Sequence, residues 1–386
     1  MTAPTPALSL GVIGRTSKEN ERRLPIHPHH VERIDADLRA NIYLETNYGA
    51  DFGVSDEHLS GLVAGVRTRE QLIAECDVIL LLKPCAADLA ALREGQVLWG
   101  WPHCVQDRAL TDQAVERRQT VIAFEAMNVW GSDGSFKLHV FHKNNEMAGY
   151  CSVLHGLQIV GLTGTYGPRL NAAVIGFGAT ARGAVTALAA LGIHDVNILT
   201  NRSVTEVASP IHSAQILNFG NDPDAGPGEP TNYAMTPDGK VPLAGYLAEH
   251  DIIVNCVLQD TNAPLTFLDE DDLTSFRQGG LIIDVSCDEA MGFSWAHPTT
   301  FDEPTFTVGP NITYYAVDHS PSYLWNAASW EIGEALMPYL RTVLAGRDAW
   351  QDDPTVRAAI EILDGKIMNP DITAFQNRPA EVVQSE

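Results

Sequence analysis

Cations are scarce in this chain: 25 Lys and Arg face 49 Asp and Glu across 386 residues, a net charge of −24. A field of that sign repels nucleic acid and anionic lipid, so neither a nucleic-acid nor a membrane partner is expected. Long apolar runs are missing as well, and nothing approaches the ~18 consecutive apolar residues that suggest a membrane span. The stretch Met1–Ala7 lacks the basic start and apolar run of a signal peptide. Six cysteines (Cys76, Cys85, Cys104, Cys151, Cys256 and Cys287) show no C-x-x-C spacing. Neither a zinc site nor a disulfide frame is suggested, and a reduced, cytoplasmic protein without a resident metal is expected. The acidic surface excludes partners better than it names them, since a solvated acidic face carries no message about substrate.

What is present is enough apolar material, 45% of the residues, to build two cores in a chain of this length. Short apolar runs at Leu8–Ile13, Ile42–Thr46, Val78–Leu82, Val97–Trp101 and Val121–Phe124 alternate with helix-compatible stretches. Such runs, bounded by Gly, Pro or charge, read as buried parallel strands of an α/β layer fold. A second series has strands at Ala172–Ile175, Val196–Thr200, Ile252–Cys256 and Leu281–Val285. Asn144–Gly161 reads as a connecting helix, and apolar spacing from Ser322 to Leu344 predicts another that runs back to the first domain. Asn218–Lys240, rich in Gly, Pro, Asp and Asn, reads as an extended loop, placed to cover the adenosine end of a cofactor or to meet another subunit. The chain after Asn369 reads as frayed. The expected architecture is α/β: two Rossmann-like doubly wound domains joined by long helices, with a cleft between them. A discontinuous substrate domain would comprise 1–150 and 318–386, and 151–317 would bind the dinucleotide.

Gly176-Phe177-Gly178-Ala179-Thr180-Ala181 supplies a G-x-G-x-x-A element after an apolar strand and before a helix-like run. Gly176 permits the tight turn, Gly178 lets backbone approach a pyrophosphate, and Ala181 lets the helix pack on the strand. A plain strand-to-helix turn without ligand would need the same glycines. The next strand ends Thr200-Asn201-Arg202, where NAD enzymes usually carry an acidic residue. Thr200 and Asn201 can donate to a phosphate and Arg202 can pair with one, which predicts NADP(H). Arg202 could equally cap its own loop.

Four more polar residues stand at or beyond strand ends: Arg23 after the first strand, Lys83 after Val78–Leu82, His103 after Val97–Trp101, and Asp288 after the last. Carboxyl ends of parallel strands face the functional crevice. Each has a structural reading too: a surface ion pair, a solvated strand end, a turn histidine and a helix cap. Together with a dinucleotide element they fit hydride transfer to a carbon whose partner groups gain and lose protons.

The blocks Lys18-Glu19-Asn20-Glu21-Arg22-Arg23, Trp99-Gly100-Trp101-Pro102-His103-Cys104, Asn145-Glu146-Met147-Ala148-Gly149-Tyr150, Gly176-Phe177-Gly178 with Arg182-Gly183, and Val317-Asp318-His319-Ser320-Pro321 occur in this order. Their combination resembles the alanine dehydrogenase/transhydrogenase superfamily, which includes the lysine-forming saccharopine dehydrogenases, and within it the N5-(carboxyethyl)ornithine synthases. The resemblance spans about residues 10 to 345 and implies roles. Arg23, with Arg22 as its neighbour, would hold a substrate carboxylate, and Lys83 and His103 would bind substrate and move protons. Asp288 would lie by the nicotinamide and the substrate amine, and His319 would contact substrate or cofactor or else pack a hinge. The chain departs from alanine dehydrogenases in passing directly from Lys83 to Pro84, and in having Thr200 where NAD-specific members are acidic. The activity implied is NADPH-dependent reductive condensation of a pyruvate-like 2-oxo acid with the side-chain amine of ornithine or lysine, in a homo-oligomer. The alternatives are an alanine-type dehydrogenase, a cyclic-imine reductase, a transhydrogenase component, or a non-catalytic NADP(H) sensor.

Overall fold

The computed structural model describes residues 5–202, 214–222, 224, 226, 231–259 and 265–378. The chain divides into two compact units. One comprises the residues up to His142 together with those from Leu324, and the other is Lys143–Tyr323.

In the first unit six parallel strands lie in the order Gly65–Arg67, Ile42–Glu45, Leu10–Val12, Val78–Leu80, Val97–Gly100, Thr120–Ala123. Numbered along the chain this is 3-2-1-4-5-6, the doubly wound order. An antiparallel pair, Ile360–Leu363 and Lys366–Ile367, extends the sheet beyond Thr120–Ala123. The central strands Val78–Leu80 and Val97–Gly100 are buried throughout, as their uninterrupted apolar runs require. The long helix begins at Trp325, after a 3-10 turn over Ser320–Leu324, and ends at Ala345. It buries Ala328, Ile332, Leu336, Leu340 and Val343, so its helical stripe belongs to the first unit's core.

The second unit repeats the order with Ala214–Asn221, Asp195–Thr200, Asn171–Ile175, Ile252–Asn255, Leu281–Asp284 and Ile312–Tyr315. Its other long helix, His142–Val160, sends Val153 and Leu157 into this unit's core. Both units are therefore Rossmann-like, as the alternation of runs predicts.

Two expectations need correction. The proposed loop Asn218–Lys240 is largely sheet: Ala214–Asn221 continues as a strand, and Asn232–Thr236 and Gly239–Pro242 pair antiparallel beside it. Its residues 223, 225 and 227–230 lie outside the described residues. Polar Asn and Gly residues hid the strands because an edge sheet needs only one apolar face, here Leu217, Phe219 and Ala234. Nor does the chain fray at Asn369. Pro370–Phe375 is a helix capped by the Asn369 side chain, Ile372 is fully buried, and the Gln376 side-chain amide donates to the Cys104 carbonyl at 2.7 Å. Residues 379–386 lie outside the described residues.

Candidate active site

In a doubly wound sheet the crevice opens where strand order reverses, beside the first and fourth strands. In the first unit those are Leu10–Val12 and Val78–Leu80. Beyond its named end the fourth strand stays joined to its neighbour, with Leu81 N donating to Trp99 O at 3.0 Å and Trp101 N to Leu82 O at 2.8 Å. Gly100 makes this possible, since a Cβ there would lie 1.9 Å from the Leu81 carbonyl oxygen. The zipped strand ends bring Lys83 and His103 together, Nζ to Nε2 at 2.7 Å. One of the two must accept. A Lys83 ammonium facing a neutral His103 with its proton on Nδ1 satisfies the contact, as does the reverse transfer.

His103 is fixed on its other side. Its backbone N–H donates to Glu125 Oε1 at 2.6 Å, and its Nδ1 lies 3.9 Å from the same oxygen. It adopts φ 50°, a left-handed conformation uncommon for a side-chain-bearing residue, while its carbonyl accepts from Gln106 and Asp107. The Thr16 hydroxyl donates to the Lys83 carbonyl at 2.7 Å, which ties the loop after the first strand to the loop after the fourth.

Arg23 is 2% exposed and is gripped by Glu21, whose Oε1 accepts both its backbone N–H at 3.0 Å and its Nε–H at 2.8 Å. The next residue is anchored to the long helix, where Ser329 Oγ accepts the Leu24 N–H at 2.8 Å. Arg23 and Lys83 flank one indole, with Arg23 Cζ 5.8 Å and Lys83 Nζ 6.0 Å from the Trp101 ring. Arg22 is placed apart, half exposed, 4.4 Å over Trp325 and 4.0 Å from Asp51. Of the two arginines, Arg23 is the one that shares a ring with Lys83.

In the second unit Gly176 has φ 111°, and a Cβ there would stand 3.1 Å from the Cys256 backbone. Gly178 caps the helix Ala179–Ala190 without a side-chain hydrogen bond, and a Cβ there would meet nothing within 4 Å. An uncapped N-terminus of that length with open space before it fits a dinucleotide pyrophosphate. Ala181 is fully buried in the core. The helix lies against His142–Val160 at backbone distance, because a Cβ on Gly183 would be 1.7 Å from Glu146 O and one on Gly149 1.9 Å from Thr180 O. Thr200 is 2% exposed and its Oγ1 accepts the Arg202 N–H at 3.1 Å, so it shapes the turn, while Asn201 and Arg202 are exposed. Asn218 Nδ2 braces the same turn through the Arg202 carbonyl at 2.7 Å.

Asp288 follows the strand Leu281–Asp284 in a loop tied down by the Ser286 hydroxyl, which donates to Val257 O at 2.6 Å. Burial holds the Asp288 carboxyl above its ordinary range, and the Asp318 charge adds to this. His319 is next, with Nδ1 3.7 Å from Asp318 Oδ2. The structure thus gathers Arg23, Lys83 and His103 in one unit and Asp288, Asp318 and His319 in the other.

Sequence reasoning assigned no role to Glu21 or Trp101 and did not single out Glu125. Glu125 follows the run Val121–Phe124 directly, so the strand-end rule that singled out Lys83 and His103 applies to it equally. Also unread was Asp284, fully buried at a strand's end, where Tyr314 OH and Asn255 Nδ2 donate to it at 2.6 and 2.9 Å. Burial lifts its carboxyl to about 6 against the lowering pull of those bonds.

Comparison with known proteins agrees with this architecture. The family model for the alanine dehydrogenase/PNT N-terminal domain matches residues 12–147, and that for the C-terminal domain matches 147–370. Alanine dehydrogenase of Mycobacterium tuberculosis is 23% identical over 92% of this chain and 93% of its own. An alanine dehydrogenase of Geobacillus stearothermophilus is 26% identical over 97% and 98%. N(5)-(carboxyethyl)ornithine synthase of Clostridium botulinum is 23% identical over 83% and 90%. A solved L-alanine dehydrogenase superposes with a TM-score of 0.75 at 19% identity, covering 96% of this chain and 99% of that one. A transhydrogenase from Sinorhizobium meliloti superposes with a TM-score of 0.70 at 18% identity, covering 94% and 99%. With two family models meeting at residue 147 and together spanning both Rossmann-like units, the chain belongs to the alanine dehydrogenase/PNT family and is an oxidoreductase.

Proposed function

We propose that the protein uses NADPH to join a pyruvate-like 2-oxo acid to the side-chain amine of a diamino acid such as ornithine or lysine. The observation that carries this reading is the Lys83–His103 contact at 2.7 Å beside the buried Arg23, both set around Trp101. Arg23 receives the oxo-acid carboxylate through its guanidinium N–H groups. Because Glu21 already neutralises it, this contact positions by directed hydrogen bonds more than by net charge. Attack of the amine on the carbonyl carbon needs that amine neutral, and the Lys83–His103 pair accepts its proton. Loss of the carbinolamine hydroxyl as water needs a proton back, and the same pair returns it. Bound NADPH supplies the hydride that reduces the imine carbon. Asp288, with its raised affinity for a proton, orients the amine or the nicotinamide, with His319 beside Asp318 as a further contact.

The 2′-phosphate falls to Asn201 and Arg202, the exposed pair in a turn without a carboxylate. Arg202→Ala is expected to weaken NADPH by roughly 10–150-fold, the ~1.5–3 kcal/mol of a hydrogen bond to a charged group, and to leave NADH almost unchanged. Fluorescence titration of both cofactors measures this, and tighter NADH than NADPH in the wild type would remove the NADPH assignment.

The activity is tested by following NADPH absorbance with pyruvate and, in turn, ornithine, lysine, alanine or ammonia. Oxidation that needs both pyruvate and a diamino acid is the expected result. Oxidation with ammonia alone would instead support an alanine-type dehydrogenase, the reading favoured by the fuller coverage of the relatives bearing that name. Cofactor binding without turnover on any pair would sink both.

A further inference from the structure

The strands Leu10–Val12 and Ile42–Glu45 run parallel, Val12 opposite Leu44, and a cavity of about 190 Å³ lies at their carboxyl ends. Glu45 stitches the two chains together there, its Oε2 accepting the Gly14 N–H at 2.8 Å and the Arg15 N–H at 3.2 Å. Leu24, Tyr48 and Phe52 give the cavity apolar lining. The Tyr48 hydroxyl is fixed on the Ile26 backbone, accepting its N–H at 3.1 Å and donating to its carbonyl at 2.7 Å.

The charged lining is mixed in sign. Arg15 and Arg22 stand against Glu45 and Asp51, while Glu21, also in the wall, is already neutralised by Arg23. The Arg22 guanidinium lies 4.4 Å over the Trp325 ring, which Phe52 meets edge-on at 4.9 Å. Asp51 is 4.0 Å from Arg22 Nη2, beyond hydrogen-bond distance, so neither side chain uses up the other's donors or acceptors. Balanced charges around a small space suit a zwitterion, with a carboxylate and an ammonium on one carbon. A 2-oxo acid has no ammonium and would set its carboxylate against Asp51 and Glu45. Sites for whole drug-sized ligands measure ~300–1,000 Å³, so this smaller cavity suits an amino-acid head group and excludes a dinucleotide.

Two connections join the cavity to the Arg23–Lys83–His103 cluster. Glu21 belongs to both, as part of the wall and as the clamp on Arg23. Gly14 and Arg15 lead directly into Thr16, whose hydroxyl donates to the Lys83 carbonyl at 2.7 Å.

We propose that this cavity is the amino-acid subsite, holding the α-carboxylate of the diamino acid on Arg22 and its α-ammonium on Asp51, so that the side-chain amine extends past Glu21 towards the oxo acid on Arg23.

The assignment rests on the condensation proposed above and divides the adjacent arginines by task. Buried Arg23 takes the oxo acid, and half-exposed Arg22 takes its partner. Stacking on Trp325 restrains the long Arg22 side chain before the ligand arrives, which lowers the ordering cost of binding. An enzyme that uses ammonia has no call for such a subsite, because ammonia carries no head group.

Calorimetric titration of the whole protein with L-ornithine, in the presence of NADP+ and of oxamate as an unreactive isostere of pyruvate, reads the subsite without turnover. L-Ornithine is expected to bind the wild type, and to bind Arg22→Gln and Asp51→Asn about 10-fold more weakly or worse, as for loss of a hydrogen bond to a charged group. Both side chains are half exposed, so the substitutions spare the core, and a thermal melt checks this. Putrescine, which lacks the carboxylate, should bind the wild type more weakly than ornithine, and Arg22→Gln should lose that preference. δ-Aminovalerate, which lacks the α-amine, should behave in the same way towards Asp51→Asn. Unchanged ornithine affinity in either variant, or no ornithine binding to the wild type, overturns the proposal. So does a KM for pyruvate that rises as much as the KM for ornithine in Arg22→Gln, since Arg22 would then serve the oxo acid. Ornithine binding that depends on both residues, in a protein that oxidises NADPH with no oxo acid–amine pair, would leave the subsite standing and remove the function. Pyruvate-dependent oxidation with ornithine that neither substitution alters would keep the function and remove the subsite.

Discussion

His103→Asn is expected to lower turnover by roughly 10²–10⁴-fold, the range for losing a general acid–base group, while leaving the protein folded. Asparagine is the informative substitution because His103 sits at φ 50°, a backbone region that Asn tolerates and Ala enters at a cost of ~1–2 kcal/mol. The backbone N–H to Glu125 survives, so the turn keeps its shape. What disappears is the titrating acceptor 2.7 Å from Lys83 Nζ. The imidazole that exchanges a proton with Lys83 is then gone, and proton removal from the incoming amine should slow. Steady-state kcat across pH, with a thermal melt as control, measures this. The limb of the profile governed by the imidazole should vanish along with the rate. Turnover close to wild type would take His103 out of proton transfer altogether.

A comparable effect on stability is expected at Gly183. Gly→Ala inside a helix ordinarily gains about 1 kcal/mol from propensity. At Gly183 the sign should reverse, because the new Cβ would stand 1.7 Å from the Glu146 carbonyl oxygen and 2.6 Å from its carbon. These are backbone atoms of the facing helix and cannot rotate aside. Gly149 makes the reciprocal approach to Thr180, so the two helices touch backbone to backbone from both directions. Gly183→Ala should cost on the order of 3 kcal/mol, the upper range for overpacking, and Gly183→Val more. Cofactor affinity should fall with it, since Ala179–Ala190 is the helix whose N-terminus faces the proposed pyrophosphate. Gly245→Ala is the matched control, a helical glycine with no atom within 4 Å of the added carbon. A melting temperature as high for Gly183→Ala as for the control would show that the helices part freely.

The central strands and the long helices could be read from the sequence because each buries a run or stripe long enough to stand out. Val97–Gly100 and Ile332, Leu336 and Leu340 are of that kind. Lys83, His103, Arg23 and Asp288 were legible for a simpler reason, namely that the ends of such runs mark the carboxyl edge of a parallel sheet. That Lys83 and His103 touch was not legible, since it depends on Gly100 letting two chains stay zipped beyond the sheet. The edges were the hardest part. Ala214–Asn221 carries asparagines and a glycine that resemble a loop, and only its pairing with Asp195–Thr200 makes it a strand. Ile360–Leu363 misleads in the opposite way. Strict alternation puts Glu361 on the solvent face, and a local register shift turns it inside.

The antiparallel pair Ile360–Leu363 and Lys366–Ile367 is also the last piece of its sheet to be made. Thr120 Oγ1 accepts the Asp364 N–H at 3.2 Å across 244 positions of chain, and all of Lys143–Tyr323 is made in between. At ~5–20 residues per second, a ribosome needs roughly 12–50 s to span that interval. The unit Lys143–Tyr323, of uninterrupted sequence, can fold within this time, while Thr120–Ala123 waits with one edge unpaired. The nascent protein should therefore complete its second unit before the sheet of its first unit is whole, and the first unit should reach its final stability only once the antiparallel pair has been made.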